Sequence, residues 1–273
     1  MLLIQDLMAM DFLAEFDPLY LGFCFFGTIF CIVIVWIIGK LIVKDTTVLA
    51  EFIQASYRGS AAVLGSAFVL NVYGNTGMVP MMIIGAVPLY NIMAVIILEF
   101  ESPTNYEEGK RKNFDFDKLK KSLRGIFTNP ILIGIGIGVI LSVLKVDFPV
   151  MIDNTISSFA RMATPLALVA IGGTFEFSAV SKSKYYTAIS CFIKLIGQAA
   201  ILLPLAVYLG FEGEKLMALI VMLCAPTTPS CYVMAKGAGC DGVFTSGMVV
   251  ITTIFSAFTI TAIVFILRSI GAL

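Results

Sequence analysis

Residues 59–98 read GSAAVLGSAFVLNVYGNTGMVPMMIIGAVPLYNIMAVIIL, forty consecutive positions without a charge. The hydrocarbon core of a bilayer is about 30 Å thick and is crossed by roughly 20 apolar residues in a helix. The run is therefore two spans. It divides at Tyr73-Gly74-Asn75-Thr76-Gly77, where glycine and asparagine cluster as a turn signal. Two membrane helices joined by a tight turn set the fold class.

Outward from this pair, further uncharged runs cover residues 19–39, 125–144, 162–175, 195–211, 216–235 and 242–267. The two shorter ones extend past Arg161 and Lys194, by snorkelling or because those charges face protein. Eight helices are expected, near residues 19–43, 51–73, 78–100, 129–145, 149–178, 185–210, 215–237 and 243–269. A membrane β-barrel would instead alternate in strands of about ten residues. The whole chain agrees: 273 residues, 59% hydrophobic and 13% charged, where a soluble domain carries about 25% charged residues. Eighteen basic and eighteen acidic residues cancel, so nothing points to nucleic acid. With no histidine, the commonest general base and metal ligand is missing.

Charge sets the expected orientation. The polar connection 101–124 carries Lys110, Arg111, Lys112, Lys118, Lys120, Lys121 and Arg124, so the positive-inside rule makes it cytoplasmic. Alternating the spans places Lys40, Lys44, Lys182, Lys184 and Lys236 on the same side and the C-terminus outside. The first residues lack the basic segment of a signal peptide. A multi-pass protein of the cytoplasmic membrane is expected.

The halves repeat. At an offset of 165 residues, Tyr73-Gly74-Asn75-Thr76-Gly77 falls on Ala238-Gly239-Cys240-Asp241-Gly242. The same offset lays span 19–43 on 185–210, 51–73 on 215–237 and 78–100 on 243–269, with opposite directions through the membrane. Inverted repeats of this kind are a transporter device. Residues 1–100 form a first repeat of three spans, 101–128 the basic loop, and 129–273 a second repeat of five. Because Leu166–Ile171 overlies Met1–Asp6, the chain is expected to begin inside the second helix of a five-plus-five protein. A genuine eight-helix variant is the alternative.

Three motifs carry a resemblance: Asn129-Pro130-Ile131-Leu132-Ile133-Gly134, Ala163-Thr164-Pro165-Leu166-Ala167-Leu168-Val169-Ala170-Ile171-Gly172-Gly173, and Cys224-Ala225-Pro226-Thr227-Thr228-Pro229-Ser230. In this order along the whole chain they resemble the auxin efflux carrier family, which includes bacterial malate-permease-like proteins. The resemblance implies two inverted five-helix repeats whose fourth and ninth helices are broken and cross near the membrane centre, where an organic anion binds. Here those helices would be 51–73 and 215–237. The chain departs from the family pattern in having Ser60 where asparagine is common, and Ala67 where proline is frequent.

The residues themselves support a crossing. Pro226 and Pro229 interrupt an apolar run, and proline frees backbone carbonyls that must find partners in lipid. Thr227, Thr228 and Ser230 add hydroxyls, and a half-helix starting there would aim amides at a carboxylate. A merely kinked helix is the plainer reading. In the other repeat, Gly59, Ser60 and Gly65 permit close backbone approach, as ordinary helix packing also would. Thr164, Pro165 and Gly172 would loosen the helix 149–178. Arg58 could attract an anion but reads first as a positive-inside anchor, and Lys194 is either functional or snorkelling.

Other patterns fail. Gly134-Ile135-Gly136-Ile137-Gly138 has neither a preceding strand nor the spacing of a dinucleotide loop. The six cysteines show no metal spacing. No acid–base or nucleophile set appears, so an enzyme, a cofactor and a metal are not expected. The reading is an all-helical secondary carrier of a small organic anion, embedded in a lipid bilayer and compatible with a homodimer. Its rivals are a sodium-coupled carrier of the bile-acid type and a non-transporting membrane remnant.

Overall fold

The computed structural model describes residues 16–75, 77–103, 106–107, 110–111, 130–144, 149–174 and 183–273. Helix α1 covers Pro18–Ile42, α2 Thr46–Tyr57, α3 Ala61–Tyr73 and α4 Val79–Glu101. In the polar connection, the two-residue strands β1 (Tyr106–Glu107) and β2 (Lys110–Arg111) pair antiparallel. Then follow α5 (Pro130–Val143), α6 (Val150–Thr174), α7 (Lys184–Phe192), a π-turn at Ile193–Gly197, and α8 (Gln198–Tyr208). The chain closes with α9 (Gly213–Cys224), α10 (Pro229–Gly237) and α11 (Val243–Ser269). Residues 1–15, where the end of a second helix was expected, lie outside the described residues, as does most of the basic loop.

Local chemistry sets these boundaries. Asp17 caps α1 by accepting the Tyr20 amide at 3.0 Å, with Pro18 in the first turn, and Asp45 caps α2 through the Thr47 amide at 2.9 Å. The anticipated turn after α3 forms with Gly74 and Gly77 at φ of 78° and 48°. The turn before α11 uses Gly239 and Gly242 at 83° and 72°. Such left-handed backbone favours glycine, which has no Cβ to clash.

Among the described residues, four helices are each long and apolar enough to cross a bilayer: Pro18–Ile42, Val79–Glu101, Lys184–Tyr208 across its π-turn, and Val243–Ser269. They turn large side chains outward; Phe26, Leu41, Phe258 and Phe265 are 70–76% exposed. The short helices do the reverse. Every residue from Leu49 to Tyr57 in α2 and from Leu216 to Cys224 in α9 is buried. A helix covered on all sides belongs to the centre of a fold. Long helices therefore surround two half-length ones, with α5 against α4 and α6 against α10.

Polar contacts mark two ends. At one, Lys215 Nζ meets Asp17 Oδ2 at 2.6 Å and Asn75 Nδ2 donates to Glu214 Oε1 at 3.0 Å. Partial burial pushes the Asp17 carboxyl up, but the Lys215 hydrogen bond and charge and the Tyr20 amide hold it below its ordinary value. At the other end, Lys40 pairs with Glu101 at 2.7 Å and Ser102 Oγ donates to the Ala238 carbonyl at 3.0 Å. Helices α1 and α4 consequently run in the same direction. The chain through α2 and α3 runs back, and the chain through α9 and α10 runs against it.

Candidate functional site

Both broken helices break at the same place. Helix α2 stops at Tyr57 and α3 starts at Ala61; α9 stops at Cys224 and α10 starts at Pro229. The exposed backbone of each gap is used by the other. Gly59 and Thr227 form an antiparallel bridge, and the Ser60 amide donates to the Pro226 carbonyl at 2.8 Å. Pro226 brings no amide that would need a partner, and Pro229 suits the first turn of α10. The kinked-helix reading is thus replaced by a full interruption, and the other broken helix is interrupted in the same way.

A helix end buried in apolar surroundings leaves carbonyls that must be satisfied. Side chains from other segments take them one by one. Thr227 Oγ1 donates to the Ala55 carbonyl at 2.9 Å, Gln198 Nε2 to Ser56 at 2.7 Å, and Lys194 Nζ to Tyr57 at 3.2 Å. On α9, Lys194 Nζ also donates to the Leu223 carbonyl at 3.3 Å. Lys194 has no exposed surface, which corrects the snorkelling alternative. It lies within the π-turn, whose extra residue per turn alters where the side chain points relative to a regular helix.

The opposite ends are treated differently. Neither Ser60 before α3 nor Thr228 before α10 caps its helix with a side-chain hydrogen bond. Thr228 Oγ1 and Ser230 Oγ instead lie 3.3 Å from one another, both half-buried. Thr227 is nearly fully buried; its hydroxyl is committed to Ala55, and its amide donates to Thr252 Oγ1 at 3.0 Å. Of the three predicted hydroxyls, Thr228 and Ser230 therefore stay nearer the surface of the crossing, while Thr227 holds it together.

Arg58 stands in the first gap and is only 3% exposed, so the anchor reading is corrected: it points into protein. Its Nη2 donates to Asn91 Oδ1 at 2.7 Å and its Nη1 to Met234 Sδ at 2.7 Å, both neutral acceptors. Among the described residues neither Arg58 nor Lys194 has a carboxylate within ion-pairing distance. One turn before Arg58, Gln54 is fully buried with both amide atoms lacking a hydrogen-bond partner. Sequence reading passed over Gln54, Asn91 and Gln198, although uncommitted polar side chains within apolar spans are the signal that finds them.

Other predicted residues fall elsewhere. Gly65 lies inside α3, with its surroundings outside the described residues. Helix α6 continues through Pro165, which is exposed. The surroundings of Thr164 and Gly172 lie outside the described residues.

Glu51, also missed, is fully buried at the start of α11. Its Oε1 accepts the Gly242 amide at 2.9 Å, and its Oε2 accepts the Thr245 amide and hydroxyl at 2.8 and 2.7 Å. A carboxylate at a helix N-terminus satisfies orphan amides and opposes the helix dipole.

The tightest point of the crossing is Gly59. A Cβ there would sit 2.8 Å from Lys194 Nζ and 3.0 Å from the Ala225 carbonyl oxygen. Gly59→Ala is expected to displace the ammonium from its carbonyls and lower the melting temperature in detergent by about 5–10 °C. Gly22→Ala, where a Cβ would meet nothing within 4 Å, is the control that should melt no lower than the parent.

Comparison with known families identifies a membrane transporter family. The model of a family described as membrane transport protein matches residues 9–264. The chain belongs to that family, the auxin efflux carrier and malate-permease-like transporters, which is a transporter family and not an enzyme family. No curated protein matches the chain.

Proposed function

We propose that this protein is a secondary carrier that moves a small organic anion, a dicarboxylate or an auxin-like acid, through the crossing of the two broken helices. The observation that carries the reading is the charge arrangement there. Two half-helix N-termini whose N-cap side chains make no capping hydrogen bond, and the buried Arg58 guanidinium, bonded to neutral acceptors, leave positive potential without an acidic partner among the described residues. Burying a charge without a counter-charge is costly, and a carboxylate ligand would offset that cost. Half-helix N-termini supply amides to anionic substrates in the same way. The unpartnered Gln54 amide offers a further donor and acceptor beside Arg58. Thr228 and Ser230 add hydroxyls at the start of α10.

The expected inverted repeat fits this mechanism. Gly74 and Gly239, and Gly77 and Gly242, stand 165 residues apart and share the left-handed backbone. Both helix breaks fall in corresponding spans, and the two gaps meet antiparallel. In alternating access, rocking of the crossing against α5 and α6 would open it to either side in turn. With the basic loop cytoplasmic, outward movement of one negative charge gains about 2.3 kcal/mol per 100 mV of membrane potential. Efflux then needs no nucleotide.

Counterflow in proteoliposomes tests the reading. Vesicles preloaded with unlabelled malate, malonate or indole acetate should transiently accumulate the matching labelled anion, and protein-free vesicles should not. If no organic anion shows counterflow, the carrier reading is lost.

A further inference from the structure

We propose that the Lys194 ammonium is a tethered cation that fills a cation-binding position at the crossing, so that the carrier works without sodium. The position is defined by the ends of two half-helices. Both α2 and α9 finish at the crossing, and each brings there the negative end of its dipole and its last unsatisfied carbonyls. Lys194 Nζ touches both, at the Tyr57 and Leu223 carbonyls. The Ala225 carbonyl opens onto the same space, since a Cβ on Gly59 would lie 3.0 Å from that oxygen and 2.8 Å from Nζ.

Carbonyl oxygens converging in a dry cavity are also what a bare alkali cation seeks. In membrane carriers, unwound backbone carbonyls and half-helix C-termini hold coupling ions in this manner. Here a covalently attached ammonium already sits there, fully buried and supported by the π-turn around it. Gly59 leaves room for it; any larger residue would compete for the volume. The crossing is thus divided by charge: Lys194 serves the two C-termini, and the two N-termini are left for the transported anion. The statement about sodium rests on the carrier reading above. The occupancy of the cation position does not.

The test uses detergent-purified protein and melting temperature, without any transported anion, so its outcome is separate from that of the counterflow experiment. Lys194→Ala should melt about 10 °C below the parent, since removing a fully buried charged partner strands its carbonyls. Adding ammonium or methylammonium chloride, or sodium chloride, should raise it saturably, whereas choline chloride at equal ionic strength should not. The parent should respond to none of these salts. Lys194→Met fills the space without a charge and should stay unresponsive, which keeps the idea testable if the alanine variant does not fold. The proposal is overturned if the parent is itself stabilised saturably by sodium. It is equally overturned if Lys194→Ala melts like the parent, if small cations act no better than choline, or if Lys194→Met regains stability with ammonium.

Discussion

Arg58→Gln is expected to weaken binding of the transported anion by about thirtyfold or more while leaving the folded protein intact. Truncating one member of a buried, hydrogen-bonded charge pair costs about 2–5 kcal/mol, and each 1.4 kcal/mol is tenfold in affinity. The glutamine amide can still donate to Asn91, so the helix packing around the gap keeps a polar contact. Anion-dependent thermal shift reads the affinity, and the melting temperature of the anion-free protein reads the fold. Lys236→Gln provides the contrast, because Lys236 is an exposed cation toward the loop end of α10. If Arg58 acted only through the general surface field, both variants would lose affinity alike. A specific ligand predicts a large loss for Arg58 and a small, salt-sensitive one for Lys236.

Glu51→Ala is expected to lower stability more than any other single change in α2. The variant would strand the Gly242 amide and both the amide and hydroxyl of Thr245 inside the protein. Each unsatisfied buried group costs about 1–3 kcal/mol, so the sum is about 3–5 kcal/mol after partial relaxation and about 10 °C in melting temperature. Glu51→Gln retains one acceptor and should recover about half of the loss. Equal melting of the parent and the alanine variant would mean that the start of α11 is held by something other than this carboxylate.

Much of this architecture was legible because the membrane imposes simple lengths. The uncharged runs gave the four long helices to within a few residues, and Gly74 and Gly77 announced their turn. The break in the second half was legible from Pro226 and Pro229. The break in the first half carries no proline; the offset between repeats, the small residues and the family resemblance pointed to residues near Ser60. The direction of Lys194 was not legible, because a π-turn depends on tertiary contacts that no local pattern records. Arg58 misled for a related reason: the positive-inside rule describes where cations gather on average, whereas Asn91 and Met234 approach this one from distant segments. The role of Thr227 as a brace and of Glu51 as a cap likewise depends on partners 172 and 191–194 residues away.

Those distances have a consequence for how the chain is made. The last carbonyls of α2 wait for donors that lie far downstream; Tyr57 and Lys194 are 137 residues apart. At a synthesis rate of about 5–20 residues per second, the first broken helix is finished roughly 7–27 seconds before its closing donor leaves the ribosome. A gap in the backbone ladder is poorly tolerated in hydrocarbon. During biogenesis the nascent segment 46–73 must therefore be sheltered at the membrane-insertion machinery or held near the headgroups. It can settle into the bilayer only when the second half arrives to complete it.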